Sequence, residues 1–424
     1  MKPCPVAKPF AVKIRNQGVC NVAKDKGKDE DRADPARISK QAARQAANRA
    51  EREARRQLRQ AERAAKRGKT AAKAKPEAKP EAKPEAKPKA APSAPVQAVP
   101  FNILLVGQDI RLGMEAALFA ASLRRNAPGW HGRLIVAEPS PEGAWAGART
   151  RIPAPIRLAL LGFGAEILPF AARHFGASYP FGNKIEALSV LPPGEPFIFF
   201  DSDTLVTGPL DRLPFDFSRP SASMRRTATW PEPPLYGPGY GAIWKSLYDR
   251  FGLDYESSLD TSQPDEHWER YLYFNAGWFF GADPQEFGRR FLDWALAIRD
   301  DPGEALASQK LDVLLDQVAL PLVIHALGGG RPGPGLAGLD GDVTCHYRDL
   351  PLLYARESDL AVETAETVLR DPRLAPLAEA WAPARQIVLE GIGRDRIRPM
   401  FDRRLPLNEG RTRQILKKAG LWLR

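Results

Sequence analysis

From residue 101 onward, short apolar runs alternate with stretches of helical spacing. Residues 101–107 (FNILLVG) are almost continuously apolar, as a strand covered on both faces would be. Met114, Ala117, Leu118 and Ala121 follow at i, i+3, i+4 and i+7, which predicts an amphipathic helix ending near Arg125. Residues 133–137 (RLIVA), 165–170 (AEILPF) and 196–200 (PFIFF) predict three more strands, and 181–191 has helical spacing. Strand and helix alternating at this interval imply parallel pairing with right-handed crossovers.

The second half is less regular. A short strand is predicted at 221–224, a Pro/Gly-rich loop at 230–240 and a β-rich stretch at 271–280 (YLYFNAGWFF). Asp283-Pro284-Gln285-Glu286 reads as a helix start, with an acceptor at the N-cap, Pro at N1 and Glu at N3. Phe287, Phe291, Trp294 and Ile298 are the expected buried stripe of that helix, and Leu311, Leu314, Leu315, Val318 and Leu322 that of the next. A long Gly/Pro loop over 328–341 precedes a strand at 343–347.

Before residue 99 the pattern is different. Residues 35–68 are rich in Ala, Arg, Gln and Glu, with only Ile38 and Leu58 apolar beyond alanine. Such a segment favours helix but has no stripe to bury, so a solvated helix is expected, held by pairs such as Glu51–Arg55. Residues 75–90 repeat Lys-Pro-Glu-Ala, and proline at every fourth position favours an extended spacer. The resulting division is a disordered basic tail over 1–34, the Ala/Arg-rich helix over 35–68, a low-complexity linker over 69–98, a main domain over 99–350 and a helical extension over 351–424.

Charge sharpens this division. Of 424 residues, 62 are Lys or Arg and 51 Asp or Glu, a formal charge of +11. Residues 1–100 hold 26 of the cations and 11 of the anions, leaving the body mildly acidic. Basicity is thus a property of the tail, and the body is not a nucleic-acid-binding fold on charge grounds. Residues 36–69 could attach electrostatically to an anionic membrane or RNA. Cys4, Cys20 and Cys345 make neither a disulfide framework nor a zinc spacing, so a reducing compartment fits. No secretory h-region or membrane-length apolar run is visible, so a cytoplasmic chain is expected, with the tail able to hold it at the inner membrane surface.

The sharpest chemical feature is FIFFDSDTLV, residues 197–206. Asp201 and Asp203 sit two apart where a buried strand ends, and at strand spacing they project to the same side. Adjacent carboxylates repel, and a divalent cation is the natural compensation. Ligands of open α/β sheets bind at the carboxyl ends of strands, and oxygen-ligated metals bridge carboxylates to phosphates.

Taken in order, Asn183-Lys184, FFDSDTLV, FNAGWFFG (274–281), LDVLLDQ (311–317) and CHYR (345–348) resemble a GT-A glycosyltransferase, nearest to the family 8 group and related bacterial sugar transferases. The resemblance covers roughly residues 101–350. It implies a Rossmann-like, mixed but mainly parallel sheet flanked by helices, and transfer of a sugar from a nucleotide-diphosphate donor, a UDP-sugar foremost, to a hydroxyl of a glycan or lipid-linked acceptor. It implies Asp203 as metal ligand, Asp201 as metal or ribose ligand and His346 as a late metal ligand. An O,O,N set suits Mn²⁺, with Mg²⁺ the alternative. Lys184 beside Asn183 would offset diphosphate charge, and Asn275, Asp316 and Gln317 would meet the transferred sugar or acceptor. Gly107, ahead of Gln108 and Asp109, would touch the nucleotide. This chain departs from the family in Ala276, where a hydroxyl residue is usual, and in the missing glycine after CHYR. Two rival readings remain at this stage. Asp201-Ser202-Asp203-Thr204 is similar to the nucleophile motif of haloacid-dehalogenase phosphatases, and a transferase-like domain could serve as a non-catalytic binding module.

Overall fold

The structure is a computed structural model that describes residues 100–226, 229–401 and 408–424. Contacts divide the chain into units Met1–Ala90 and Ala91–Arg424. The expectations for 1–34, 35–68 and 69–98 lie outside the described residues.

The main sheet has six strands: β1 (Asn102–Val106), β2 (Leu134–Pro139), β3 (Ala165–Phe170), β4 (Phe197–Phe200), β6 (Ser221–Ser223) and β7 (Asn275–Gly281), with β5 (Thr204–Val206) and β8 (Thr344–His346) forming a separate pair. The strand order is β3-β2-β1-β4-β7-β6. β1 pairs in parallel with β2 and β4, and β2 with β3. β4–β7 and β7–β6 are antiparallel. The apolar runs expected to be strands are these strands, and the sheet is mixed and mainly parallel.

Helix α1 (Asp109–Asn126) covers one face, burying Met114, Ala117, Leu118 and Ala121 as its spacing predicts. The other face carries α4 (Pro284–Asp300) and α5 (Leu315–Ala326), after α2 (Ala154–Gly162) and α3 (Tyr240–Arg250) in the chain. Asp283 caps α4 by accepting from the Gln285 amide at 2.8 Å. In its stripe Phe287, Phe291 and Ile298 are buried, whereas Trp294 is only half-buried, stacked on Phe251 at 4.5 Å, and Ala295 takes the core position. The stretch 271–274 is buried but pairs with no strand, so β7 begins only at Asn275. Leu311 and Leu314 precede α5 and, half-buried, pack against the same apolar cluster as its Leu315, Val318 and Leu322.

After β8, helices α6 (Leu350–Arg356), α7 (Asp359–Leu369) and α8 (Glu409–Lys418) follow. Leu353, Val362, Leu369 and Leu416 join the apolar cluster that holds Leu105, Met114 and Leu118. The segment after 350 thus shares the core of the main sheet. The β5–β8 pair matters most for the site. Its register sets Thr204 opposite His346 and Val206 opposite Thr344, and the Tyr347 amide donates to the Asp203 carbonyl at 3.0 Å. That pairing brings residue 346 beside residue 203.

Candidate active site

β4 ends at Phe200, and residues 201–203 turn before β5 begins. The two aspartates therefore converge through a turn, and not through the strand alternation their spacing suggests. The Asp201 amide donates to the Gly277 carbonyl at 2.8 Å, which pins the turn to β7. His346 Nε2 lies 3.1 Å from Asp203 Oδ1 and 3.7 Å from Asp201 Oδ2. One ligand atom from each of Asp201, Asp203 and His346 falls within a 4.8 Å spread, close enough to share one cation.

Gly277 explains why glycine stands in FNAG. A Cβ there would lie 2.3 Å from His346 Nδ1 and 2.7 Å from Asn275 Oδ1. The bare backbone leaves room for the imidazole to turn toward the aspartates. Asn275 is buried and accepts from the Gly277 amide at 2.9 Å, holding the same bend. At Ala276, where a hydroxyl is usual, the group in use is the carbonyl, which accepts from Lys184 Nζ at 3.0 Å. The missing hydroxyl therefore removes no part of that contact.

Lys184 is buried at 7% exposure and reaches both Asp201 (2.9 Å) and Asp316 (3.3 Å). Burial alone would lower its pKa, but Asp201 and then Asp316 outweigh it and hold the ammonium above its ordinary range. Asp316 is 1% exposed, accepts from the Tyr179 hydroxyl at 2.7 Å and sends its own amide to that oxygen at 3.0 Å. It is engaged on all sides and sits behind the site, fixing Lys184. Gln317, half-buried, accepts from the Tyr273 hydroxyl at 2.9 Å.

Burial pushes the Asp203 carboxyl upward, but His346, Arg111 and Arg348 outweigh it and hold it below its usual range. Two carboxylates beside an imidazole, one of them held ionised, are a donor set a divalent cation takes, so the residues present fit a metal. The reverse holds for Glu115, buried below Ser202. Burial first, then the charge of Asp203, pushes its carboxyl up to about 8, despite Arg111 at 2.8 Å.

A cleft of about 500 Å³ opens over β1 and β4 in front of these groups. Asp201, Asp203, Lys184 and Asn183 line it. Asn183 is locked, accepting from Trp145 Nε1 at 3.0 Å and donating to Gln108 at 3.2 Å. Gly107 is not part of the lining. A Cβ there would meet Val136 Cγ1 at 2.5 Å, so its glycine serves close packing of the strand end, and its neighbour Gln108 faces the cleft. Gln317, Asp316, Asn275 and His346 also lie outside that lining. His325 is remote from the trio, near Ser257 and Tyr248.

Two arginines were not foreseen. Arg111 lines the cleft 4.0 Å from Asp203 and 3.4 Å from Asp349. Arg424 lines it from the far end of the chain and meets the same Asp349 at 3.2 Å. Arg111 sits in the first turn of α1, seven residues before Leu118 and in line with the apolar stripe, where it meets the buried Glu115, and Arg424 is placed by packing after residue 350. No local signal points to either.

A mainly parallel α/β sheet, an Asp-x-Asp turn closing a central strand and a histidine delivered by a late strand define a GT-A-type glycosyltransferase domain. Residues 103–328, more than half of the chain, match the family described as Rhodobacterales glycosyltransferase domain, and the chain belongs to that family. No curated protein matches it in sequence. Among solved structures, it is similar to the galactosyltransferase LgtC in complex with donor and acceptor sugar analogues, at 15% identity over 67% of this chain and 100% of that one, TM-score 0.40. The bifunctional glycosyltransferase WbbM is similar at 13% identity over 68% of this chain and 52% of that one, TM-score 0.39. The glycosyltransferase GlyE of Streptococcus pneumoniae TIGR4 is similar at 14% identity over 67% and 63%, TM-score 0.35. Membership of that family makes the chain a glycosyltransferase, which removes the phosphatase reading. Among the described residues no helix is long and apolar enough to cross a membrane.

Proposed function

We propose that the cleft binds a nucleoside-diphosphate sugar, a UDP-sugar in the first instance, and that the enzyme transfers the sugar to a hydroxyl of a glycan or lipid-linked acceptor. The observation that carries this reading is the convergence of Asp201, Asp203 and His346 within 4.8 Å at a cleft that also presents Arg111. Asp201, Asp203 and His346 would hold Mn²⁺ or Mg²⁺, which supplies Lewis-acid neutralisation of the diphosphate. Arg111 and Arg424 add positive charge to the same side of the cleft, where a leaving diphosphate gathers negative charge. Lys184 fixes Asp201 and is itself fixed by Asp316, so the metal-binding carboxylate does not reorganise during the reaction. Asn183 and Gln108, already bonded to each other, form a pre-set polar wall for the nucleotide side. Gln317 and Asn275 flank the acceptor side of the trio.

The test is thermal stabilisation of the full chain by UDP. A ligand that binds only the folded state raises the melting temperature with concentration. Stabilisation is expected with Mn²⁺ or Mg²⁺ present and absent with EDTA. Equal stabilisation in both would reject the metal-dependent site.

The reading places the enzyme in the cytoplasm, with residues 36–69 drawing it to anionic membrane or RNA by charge alone. Binding of the full chain to anionic vesicles or RNA would then fall steeply between about 50 and 200 mM salt, as counterion release dictates. Retention on neutral vesicles would contradict it.

A further inference from the structure

The sheet fixes what lies on each side of the metal-binding trio. β4 and β7 are antiparallel, with Phe200 opposite Trp278, and β7 and β6 are antiparallel, with Ser223 opposite Asn275. The end of β4, the start of β7 and the end of β6 therefore share one edge. Strands lie about 4.8 Å apart, so the end of β6 is about 10 Å from the end of β4. The donor cleft spreads the opposite way, over Val106 and Gln108 beyond β1. Whatever emerges from β6 faces the flank left for the acceptor.

Arg225 and Arg226 emerge there. Arg225 is satisfied by both oxygens of Glu357, at 2.7 and 2.8 Å. Arg226 is not. Among the described residues no carboxylate lies within ion-pairing distance of its guanidinium, and no hydrogen bond of its side chain is found. It is half-buried, 4.4 Å over the Trp268 ring and 5.8 Å from the Tyr273 ring. Burial and then repulsion from Arg331 push its pKa down to about 10, and the carboxylate of Glu269 offsets less than Arg331 imposes. Arg331 donates to the carbonyls of Ser258, Glu269 and Arg270, so its charge also stays uncompensated by a carboxylate contact. The platform is tied to the reaction centre: the Tyr273 hydroxyl donates to Gln317, next to the Asp316 that holds Lys184.

A half-buried cation without a counter-ion is costly, and the fold keeps one here. Stacking on an aromatic ring leaves the guanidinium edge free, and that planar fork matches an oxyanion bidentately. We propose that Arg226, on the Trp268–Tyr273 platform, is a specificity residue for an acidic acceptor, one that carries an oxyanion beside the sugar receiving the transfer. The proposal rests on the nucleotide-sugar reading above. The oxyanion can be a uronic acid carboxylate or a phosphate, and the experiment separates them.

The full chain, saturated with Mn²⁺ and UDP, is titrated with methyl β-glucuronide, glucose 6-phosphate and neutral methyl β-glucoside, with binding read by saturation-transfer NMR. At least one anionic probe is expected to bind about tenfold tighter than the glucoside, the scale of one charge-assisted contact. Arg226→Ala, checked for folding by circular dichroism, should bring all three probes together, and Arg226→Lys should restore part of the preference. Which anionic probe responds identifies the source of the oxyanion. Equal binding of all probes, binding of none, or a preference that survives Arg226→Ala overturns the proposal. UDP-induced stabilisation with Mn²⁺ on the same samples reports the donor reading separately. Loss of that stabilisation with the anion preference intact would reject the donor reading and leave the subsite standing.

Discussion

The parallel and antiparallel halves of the sheet solve different problems at one edge. On the parallel side, β1 and β4 end in groups that are already balanced. Lys184 sits between Asp201 and Asp316, and Asn183 between Trp145 and Gln108. On the antiparallel side, β7 contributes backbone and empty space: the Gly277 carbonyl, the Ala276 carbonyl and room for His346. Beyond it, at the end of β6, Arg226 has no carboxylate partner among the described residues. A pre-balanced network is rigid and suits a ligand whose charge is met by a metal. An unbalanced cation suits a ligand that brings its own charge. Under the proposed function, the first half takes the donor and the second the acceptor.

The largest expected effect comes from the carboxylate on which the two halves meet. Asp203→Asn keeps the shape of the turn but removes one charged oxygen, on the carboxylate that lies 3.1 Å from His346 Nε2. Transfer or donor hydrolysis should fall on the order of 10²–10³-fold, the scale seen when one group stabilising developing charge is removed. Steady-state rates with Mn²⁺, beside a circular dichroism spectrum, make the measurement. A near-wild-type rate would mean that the site does not operate through this turn.

The antiparallel half is broken more subtly by Gly277→Ala. The new Cβ would occupy space 2.3 Å from the imidazole, so His346 must rotate away. Manganese affinity should drop about 10- to 100-fold, as for other changes that disturb ligand orientation. Mn²⁺ titration followed by electron paramagnetic resonance reads this directly. Unchanged affinity would remove His346 from the ligand set.

The same contrast explains what could be read from sequence. β1 to β4 are local apolar runs with helices between them, so the parallel half and its Asp-x-Asp are visible as pattern. The histidine was legible only through the order of short motifs, because the β5–β8 register that carries it joins residues more than a hundred apart. The surroundings of Asp316 and Gly107 stayed hidden for a related reason: sequence shows that a polar residue lies on a helix or a glycine ends a strand, but not which side of the wall it occupies. Asp316 stands behind Lys184, and Gly107 stands under Gln108. Arg111, Arg226 and Arg424 left no mark at all. An arginine's meaning depends on which carboxylates tertiary packing brings near, and for Arg226 on their absence.

A smaller effect tests whether the parallel half is as tightly balanced as its geometry indicates. Asp316→Asn leaves Lys184 buried with Asp201 as its single carboxylate partner and replaces the acceptor of the Tyr179 hydroxyl by an amide oxygen. Unfolding free energy should fall by about 1–3 kcal/mol, less than the loss of a buried pair that leaves its partner wholly unpaired. Guanidinium denaturation gives the value. No change in midpoint would mean that Lys184 draws its stability from Asp201 and the Ala276 carbonyl alone.

The smallest effect concerns Glu115, beneath the trio on the parallel side. Burial and the charge of Asp203 push its carboxyl up to about 8, whereas in the unfolded chain it titrates in the ordinary glutamate range. Between those two values the folded state binds the extra proton. Stability therefore must fall as pH rises through this window, and the contribution is complete only below the unfolded pKa. In EDTA, the denaturation midpoint of the wild type should decline from pH 6 to pH 8.5. Glu115→Gln, which keeps the neutral shape at every pH, should flatten that decline by an amount on the order of 1–2 kcal/mol, since one pKa unit corresponds to about 1.4 kcal/mol. A cation on Asp203 would cancel part of the charge that raises Glu115, so Mn²⁺ should shrink the difference between wild type and variant. An identical pH slope in both proteins without metal would mean that Arg111 keeps Glu115 ionised in the folded state, and that the parallel half carries one more balanced pair in place of a held proton.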